Sequence, residues 1–297
     1  MANTRQILRR RRAAANIHKV TSTMETISAV RYRQYYNHWL DGLAFYDALA
    51  QLGYLMVSAE KNPDHPLFKA SDSKTNAVIV IASRRGLCGA YNNDLYKQID
   101  IHLKMAKRFG RELKIYAKGQ KAIAYLDRID ITPEKVYEDF AEVPSPAQAN
   151  EIADFFINEY LCGRLGRLGI VYNRFFSPAH QRVQTLTVLP VEDLIDDLTT
   201  RATVIWPSEL NFEDFLLVPS AEEIFDSIAR LMIRTAISGC FLEAAVSEYL
   251  ARVVSMRNAT ENAEEIIEDL TRQYNRARQG QITVELLDII SGVGKIN

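Results

Sequence analysis

Met256-Arg-Asn-Ala-Thr-Glu-Asn-Ala-Glu-Glu-Ile-Ile-Glu-Asp-Leu-Thr-Arg-Gln-Tyr-Asn-Arg-Ala-Arg278 sets Ile267, Leu270, Tyr274 and Ala277 at steps of three, four and three, and Val284 continues the phase. Further back, Val246, Leu250 and Val253 repeat at four and three. A 3.5-residue repeat is the seam of a helix that packs along a second helix. No proline follows Ser220, and Ser220 with Glu223 makes a capping-box start.

The other end of the chain supplies a candidate partner. Thr4-Arg-Gln-Ile-Leu-Arg-Arg-Arg-Arg12 opens a stretch without proline that reaches about residue 59. Within it Ile17, Val20, Met24 and Ile27 also step by three, four and three. Asn3 or Thr4 suits the N-cap, and Asn62-Pro63-Asp64-His65-Pro66 is a breaker. At 1.5 Å per residue such a helix reaches about 80 Å, which needs a partner along most of its length. Neither apolar stripe can be buried alone. Residues 1–60 and 220–297 are therefore expected to form a long antiparallel coiled coil with a left-handed twist.

The middle of the chain reads differently. Ala77-Val-Ile-Val-Ile-Ala-Ser83 is a short, continuous β-branched run, the mark of a strand buried on both faces. A loop with two glycines follows, Arg84-Arg-Gly-Leu-Cys-Gly89, and then a helix from Tyr91 to about Phe109. Leu113–Ala117 reads as a second strand, Gln120–Leu126 as a short helix and Pro144-Ser-Pro146 as a linker. Ala147–Leu161 reads as a helix, Leu168–Tyr172 as a third strand, and Val183–Leu189 as an edge or antiparallel strand. Alternating strands and helices place an α/β domain of the Rossmann-like kind at residues 76–206. Residues 191–218 read as irregular.

Bulk composition narrows the function. With 47% hydrophobic and 25% charged residues this is an ordinary globular chain. A net charge of −1 argues against a dedicated nucleic-acid binder. The charge is unevenly placed, however. Residues 1–33 carry eight basic groups against Glu25, whereas Glu261, Glu264, Glu265, Glu268 and Asp269 form an acidic stretch. No apolar run is long enough to span a membrane, and the N-terminus lacks a secretory cleavage pattern. Cys88, Cys162 and Cys240 have neither disulfide nor zinc spacing.

Chemistry-bearing motifs are sparse. Gly86-Leu-Cys-Gly89 stands where a phosphate cradle would, but it matches neither the dinucleotide fingerprint nor a P-loop. A tight strand-to-helix turn is the simpler reading, and Cys88 within it is a packed thiol before it is a nucleophile. No two of His18, His38, His65, His102 and His180 share metal-ligand spacing. Asp196-Asp197 reads as solvated carboxylates on a loop. Arg9 to Arg12 suits an acidic protein loop at least as well as nucleic acid or lipid.

Three stretches carry a resemblance to a known family. Ile17-His-Lys-Val-Thr-Ser-Thr-Met24, Ser83-Arg-Arg-Gly-Leu-Cys-Gly-Ala-Tyr-Asn92 and Met256-Arg-Asn-Ala-Thr-Glu-Asn-Ala263 with Tyr274–Gln279, Ile282-Thr283 and Glu285-Leu286 follow its motifs in order. The chain resembles the gamma subunits of F-type ATP synthases, and the match spans nearly its whole length. The resemblance implies a central-stalk rotor subunit, without catalytic residues or cofactor of its own. Such a subunit couples transmembrane ion flow, expected to be protons, to ATP synthesis or hydrolysis by turning inside an alpha/beta hexamer. Implied partners are the alpha, beta and epsilon subunits and the membrane c-ring, with no nucleic acid and no small-molecule ligand. The implied place is the cytoplasmic face of a bacterial inner membrane, bound peripherally.

By matching position, Arg278, Gln279, Thr283 and Glu285 would meet a catch loop of beta, and Lys19, Arg9 and Arg12 its acidic lever. Arg84, Arg85, Gly86, Cys88, Gly89 and Asn92 would form a foot loop. Ser22 replaces a usual lysine, Arg84 a usual aspartate, and Leu217-Val218-Pro219 a usual aromatic-Glu-Pro. The residues by themselves also allow a nucleotide-dependent α/β enzyme with long helical arms, or a coiled-coil tether acting through Arg9 to Arg12.

Overall fold

The computed structural model describes residues 4–58, 65–201, 218 and 220–293. The helices are α1 (Thr4–Ser58), α2 (Tyr91–Arg108), α3 (Gln120–Arg128), α4 (Pro146–Leu161), α5 (Val191–Arg201) and α6 (Ala221–Val293). The strands are β1 (Thr75–Ile81), β2 (Glu112–Lys118), β3 (Lys135–Tyr137), β4 (Arg167–Ser177) and β5 (His180–Leu189). The chain divides into two compact units, residues 1–30 with 252–297 and residues 31–251. The class is the expected one, a coiled coil of terminal helices plus an α/β sheet domain.

The first unit is a pair of helical segments from α1 and α6. They run antiparallel, since Arg11 lies over the ring of Tyr274, Thr21 meets Thr260 and Glu25 pairs with Arg257. Buried on α1 are Ile7, Ala14, Thr21 and Ser28, each seven residues from the next. On α6 they are Arg252, Met256, Ala263 and Leu270, the last three again at sevens. That interval is the heptad of a left-handed coiled coil. On α6 the expected seam holds from Ile267 to Ala277, with Ile267, Tyr274 and Ala277 half-buried beside Leu270, but Val284, expected to continue it, is 54% exposed.

On α1 the expected seam is displaced. Ile17, Val20 and Ile27 are 55%, 55% and 57% exposed, while the true seam runs one residue further along, through His18, Thr21, Glu25 and Ser28. One residue turns the helix by 100°. The reason lies in the division of bulk. Helix α6 brings Met256, Leu270 and Tyr274, and α1 answers with small groups, Ala14, Thr21 and Ser28, which let the backbones approach. The two threonine hydroxyls in this seam are satisfied. Thr21 and Thr260 lie 2.8 Å apart, and each also reaches a carbonyl one turn back, on Ile17 and Met256. One cross-helix ion pair joins Arg257 and Glu25, at 3.1 Å.

In the second unit the sheet order is β3-β2-β1-β4-β5. The first four strands are parallel and β5 pairs antiparallel with β4. Ile79, Val80, Ala117, Ile170 and Val171 are fully buried because helices cover both faces. One face packs on α4 and the α1 and α6 segments, through Leu49, Phe156, Met232, Ile237 and Phe241. The other packs on α2 and α3, through Leu95, Ile99, Ala122 and Leu126.

Two local expectations need correction. Residues 191–201 form α5, so Asp196 and Asp197 stand on a helix, and Gln184 donates to Asp197 at 3.3 Å. Val191, Leu194, Ile195 and Leu198 are buried at helical spacing, and Glu192 and Asp193 favour the first turn. Strand β3 is only three residues long and too short to carry a pattern. The capping box lies partly at Ser220, whose hydroxyl accepts from the Glu223 N–H at 3.3 Å. Expectations about Asn3, Asn62–Asp64, residues 202–217 and Pro219 fall outside the described residues; Val218 is 69% exposed.

Candidate partner-contact surfaces

The side chains implied as catch-loop contacts all stand on the last turns of α6. Arg278, Gln279, Thr283 and Glu285 are exposed. At 100° per residue they spread over an arc of about 160°, with Gln279 and Thr283 facing away from the seam. Thr283 spends its hydroxyl on the Gln279 carbonyl at 2.9 Å, and Gln281 donates to Glu285 at 3.0 Å. Opposite α1, the pairings at Glu25–Arg257 and Arg11–Tyr274 put the first described residue, Thr4, near residue 280 of α6. Beyond that height residues 281–287 are exposed throughout.

Arg9, Arg12 and Lys19 are exposed on α1, on the side turned away from Ile7, Ala14 and Thr21. The exposed Ile17, Val20 and Ile27 lie beside them. The surface is thus cationic and apolar together, which suits a partner with both acidic and aliphatic groups.

The foot loop belongs to the second unit and joins β1 to α2. Asn92, on the first turn of α2, is buried and holds the loop from inside. Its carbonyl accepts the Ser83 N–H at 3.1 Å, and its amide donates to Ser83 Oγ at 2.8 Å and to Cys88 Sγ at 3.4 Å. The Ser83 hydroxyl reaches the Arg85 carbonyl at 2.8 Å. The turn's interior is therefore filled by Ser83, Cys88 and Asn92, while Arg84, Arg85 and Gly89 face outward. All three cysteines are free thiols. Gly89 has φ +58, as a left-handed turn position requires.

Sequence reasoning missed two residues here. Leu87 also has positive φ, +65, and is 58% exposed at the loop tip. A leucine held in that region is strained, and its exposure suits contact with a partner. Lys118, the last residue of β2, is buried and donates to the Phe140 carbonyl, with its ammonium 3.9 Å from the Phe140 ring centre. Burial pushes the Lys118 ammonium down to about 8, helped by Arg84 and opposed by Glu142, Asp139 and Glu138. A buried lysine at a strand end carries no sequence signal, because it reads as a solvated terminus.

A third cluster joins α1, α6 and the segment before α4 within this unit. Tyr35 and Tyr249 stack at 5.6 Å, and their hydroxyls donate to the two oxygens of Glu142 at 3.2 and 2.7 Å. Burial, then Glu142, push the Tyr35 phenol up to about 12 and push Tyr249 up also. An unfolded tyrosine titrates near 10. Both phenols hold their protons longer in the folded state, so their contribution is complete below pH 10 and lost as pH rises through about 12. Urea midpoints are expected to fall between pH 10 and 12, and less steeply in Tyr35→Phe.

Among the described residues no helix is long and apolar enough to cross a membrane, and no group of histidine, cysteine and carboxylate side chains could hold a metal. The family model described as ATP synthase matches residues 3–294. The ATP synthase gamma chain of Rhodopirellula baltica is 32% identical over 294 residues, covering 99% of this chain and 98% of the relative. That of Nostoc punctiforme is 32% identical over 313 residues, covering 98% of each. Among solved structures, a chain of the Euglena gracilis mitochondrial ATP synthase (OSCP/F1/c-ring, rotational state 3) shares the fold with a TM-score of 0.65 at 19% identity. That likeness covers 99% of this chain and 94% of the other. A chain of the Tetrahymena thermophila central stalk and c-ring aligns with a TM-score of 0.57 at 18% identity, over 81% and 99% of the two chains. With a seven-residue seam at its ends and this match from residue 3 to residue 294, the chain belongs to the ATP synthase gamma-chain family.

Proposed function

We propose that this chain is the central-stalk rotor subunit of an F-type ATP synthase, turning inside a ring of alpha and beta subunits and coupling ion flow to ATP synthesis or hydrolysis. The observation that carries the reading is the coiled coil with unlike outer faces. One side of α1 offers Arg9, Arg12 and Lys19 with Ile17, Val20 and Ile27, whereas α6 offers Glu261, Glu264, Glu265 and Glu268. Three identical subunits around such a rod meet three different surfaces at any moment. Each surface stabilises a different conformation, hence a different nucleotide affinity. The rod needs no catalytic group of its own; it carries coupling free energy to sites elsewhere.

In this reading Lys19, Arg9 and Arg12 meet an acidic lever of beta, and Arg278, Gln279, Thr283 and Glu285 meet its catch loop. The α/β unit, with the Arg84–Asn92 loop and the exposed Leu87, serves epsilon, the c-ring and beta. The complex sits peripherally on the cytoplasmic face of a bacterial inner membrane. The test is co-expression with alpha, beta and epsilon subunits and a probe fixed to Cys162, which is exposed. Stepwise rotation driven by ATP is expected; an active complex in which the chain stays still would overturn the proposal. Because a bearing needs few specific contacts, Arg278→Ala and Gln279→Ala are expected to lower ATP-driven ion pumping by less than about threefold, below 1 kcal/mol. Proton uptake by vesicles carrying each variant measures this.

A further inference from the structure

At the carboxyl ends of β1 and β2, beside the foot loop, lies a cleft of about 380 Å³ lined by Arg84, Arg85, Lys118, Gly119, Gln120 and Glu138. We propose that this cleft binds a phosphate-bearing anion. Parallel sheets hold their ligands beyond the carboxyl ends of the strands, and this volume suits a small molecule. Of the eight lining residues, which also include Tyr137 and Phe140, three are cations and one is an acid. A fourth cation stands close, since the Lys121 ammonium comes within 3.8 Å of the place a β-carbon on Gly86 would occupy. Gly119 keeps the wall free of a side chain where backbone meets backbone.

Lys118 is the central observation. It is 7% exposed, and its ammonium donates to the Phe140 carbonyl and lies over the Phe140 ring, neither of which is anionic. A buried ammonium is stabilised by an anion, and it has three protons to give. Arg84 and Arg85, both exposed, supply planar forks suited to phosphate oxygens. Burial, the largest cause, lowers Lys118 to about 8, while Glu142, Asp139 and Glu138 act in the other direction. The shared chemistry is a phosphate group, whether free or at the end of a nucleotide. This inference is independent of the rotor reading, because it concerns the α/β unit alone.

The test is calorimetric titration of the purified full chain with inorganic phosphate, pyrophosphate and ATP without magnesium. Saturable binding at about 1 mM or tighter is expected for at least one of them. Equal affinity for phosphate and ATP assigns the site to free phosphate, and an affinity rising from phosphate to pyrophosphate to ATP assigns it to a polyphosphate. The Arg84→Glu and Arg85→Glu variants, changed only at exposed positions, are expected to bind at least about tenfold more weakly, as is Lys118→Met. Arg9→Glu, in the other unit, leaves binding unchanged. Absence of saturable binding by all three anions, or binding unaltered by Arg84→Glu and Arg85→Glu together, overturns the proposal. Retained helix signal by circular dichroism separates lost binding from lost folding.

Discussion

Gly119→Ala is expected to abolish folding of the α/β unit at ordinary temperature. Gly119 joins β2 to α3 at φ +92, a conformation that L side chains rarely adopt. A β-carbon there would sit 2.1 Å from the Ala82 carbonyl oxygen and 2.9 Å from that of Ser83. Those atoms cannot step aside. The Lys118 carbonyl accepts from the Ala82 N–H at 2.9 Å, and the Ser83 carbonyl accepts from the Lys121 N–H at 3.2 Å, so both flank the same junction. Relief would require parting β1 from β2 at their buried ends. Backbone strain and clash together should exceed about 4 kcal/mol, a large part of the stability of a domain. Gly110→Ala is the matched control. Its φ is +59, but nothing lies within 4 Å of the new carbon, so about 1 kcal/mol is expected. Urea midpoints for the two variants measure the contrast, and a similar loss in both would refute the argument.

The largest functional effect is expected from Leu270→Pro. Leu270 is buried in the coiled-coil seam, opposite the stretch of α1 that contains Arg11 and Ala14. Proline removes one backbone hydrogen bond, clashes with the carbonyl four residues back and costs about 3 kcal/mol or more in a helix interior. The kink would also move Tyr274, Ala277 and everything after them off the seam. ATP hydrolysis by the assembled complex should survive in part, because the catalytic groups lie elsewhere, but ATP-driven ion pumping should fall more than about tenfold. Leu270→Met keeps volume and helix and is expected to pump nearly as the parent does. Pumping by the proline variant at the parental rate would remove the basis for a stiff rotor.

The sequence reveals the α/β layers plainly because their pattern is imposed by burial on both faces. Val78 to Ile81 has no polar residue to mislead, and the turn residues after it stand where the chain must reverse. The α6 seam is equally plain, since large apolar groups supply it. The α1 seam is hidden for the opposite reason. Ala14, Thr21 and Ser28 are buried as small groups, and the eye is drawn instead to Ile17, Val20 and Ile27, which face out. An apolar stripe signals contact without saying whether the contact lies in the same chain. Helix α5 was obscured by its paired aspartates, although Leu194, Ile195 and Leu198 repeat correctly. The contact roles of Arg278 to Glu285 and of the foot loop are implied by the motifs alone, whereas Leu87 and Lys118 stand out only in the fold, by φ and by burial.

Helix α6 runs past the first described residue of α1, and residues 281–287 are exposed on every side. Two helices locked along a seam resist twisting and bending far better than one. A load along the pair would therefore be carried by both helices together, over the length from Glu25–Arg257 to Arg11–Tyr274. That two-stranded length is the crankshaft.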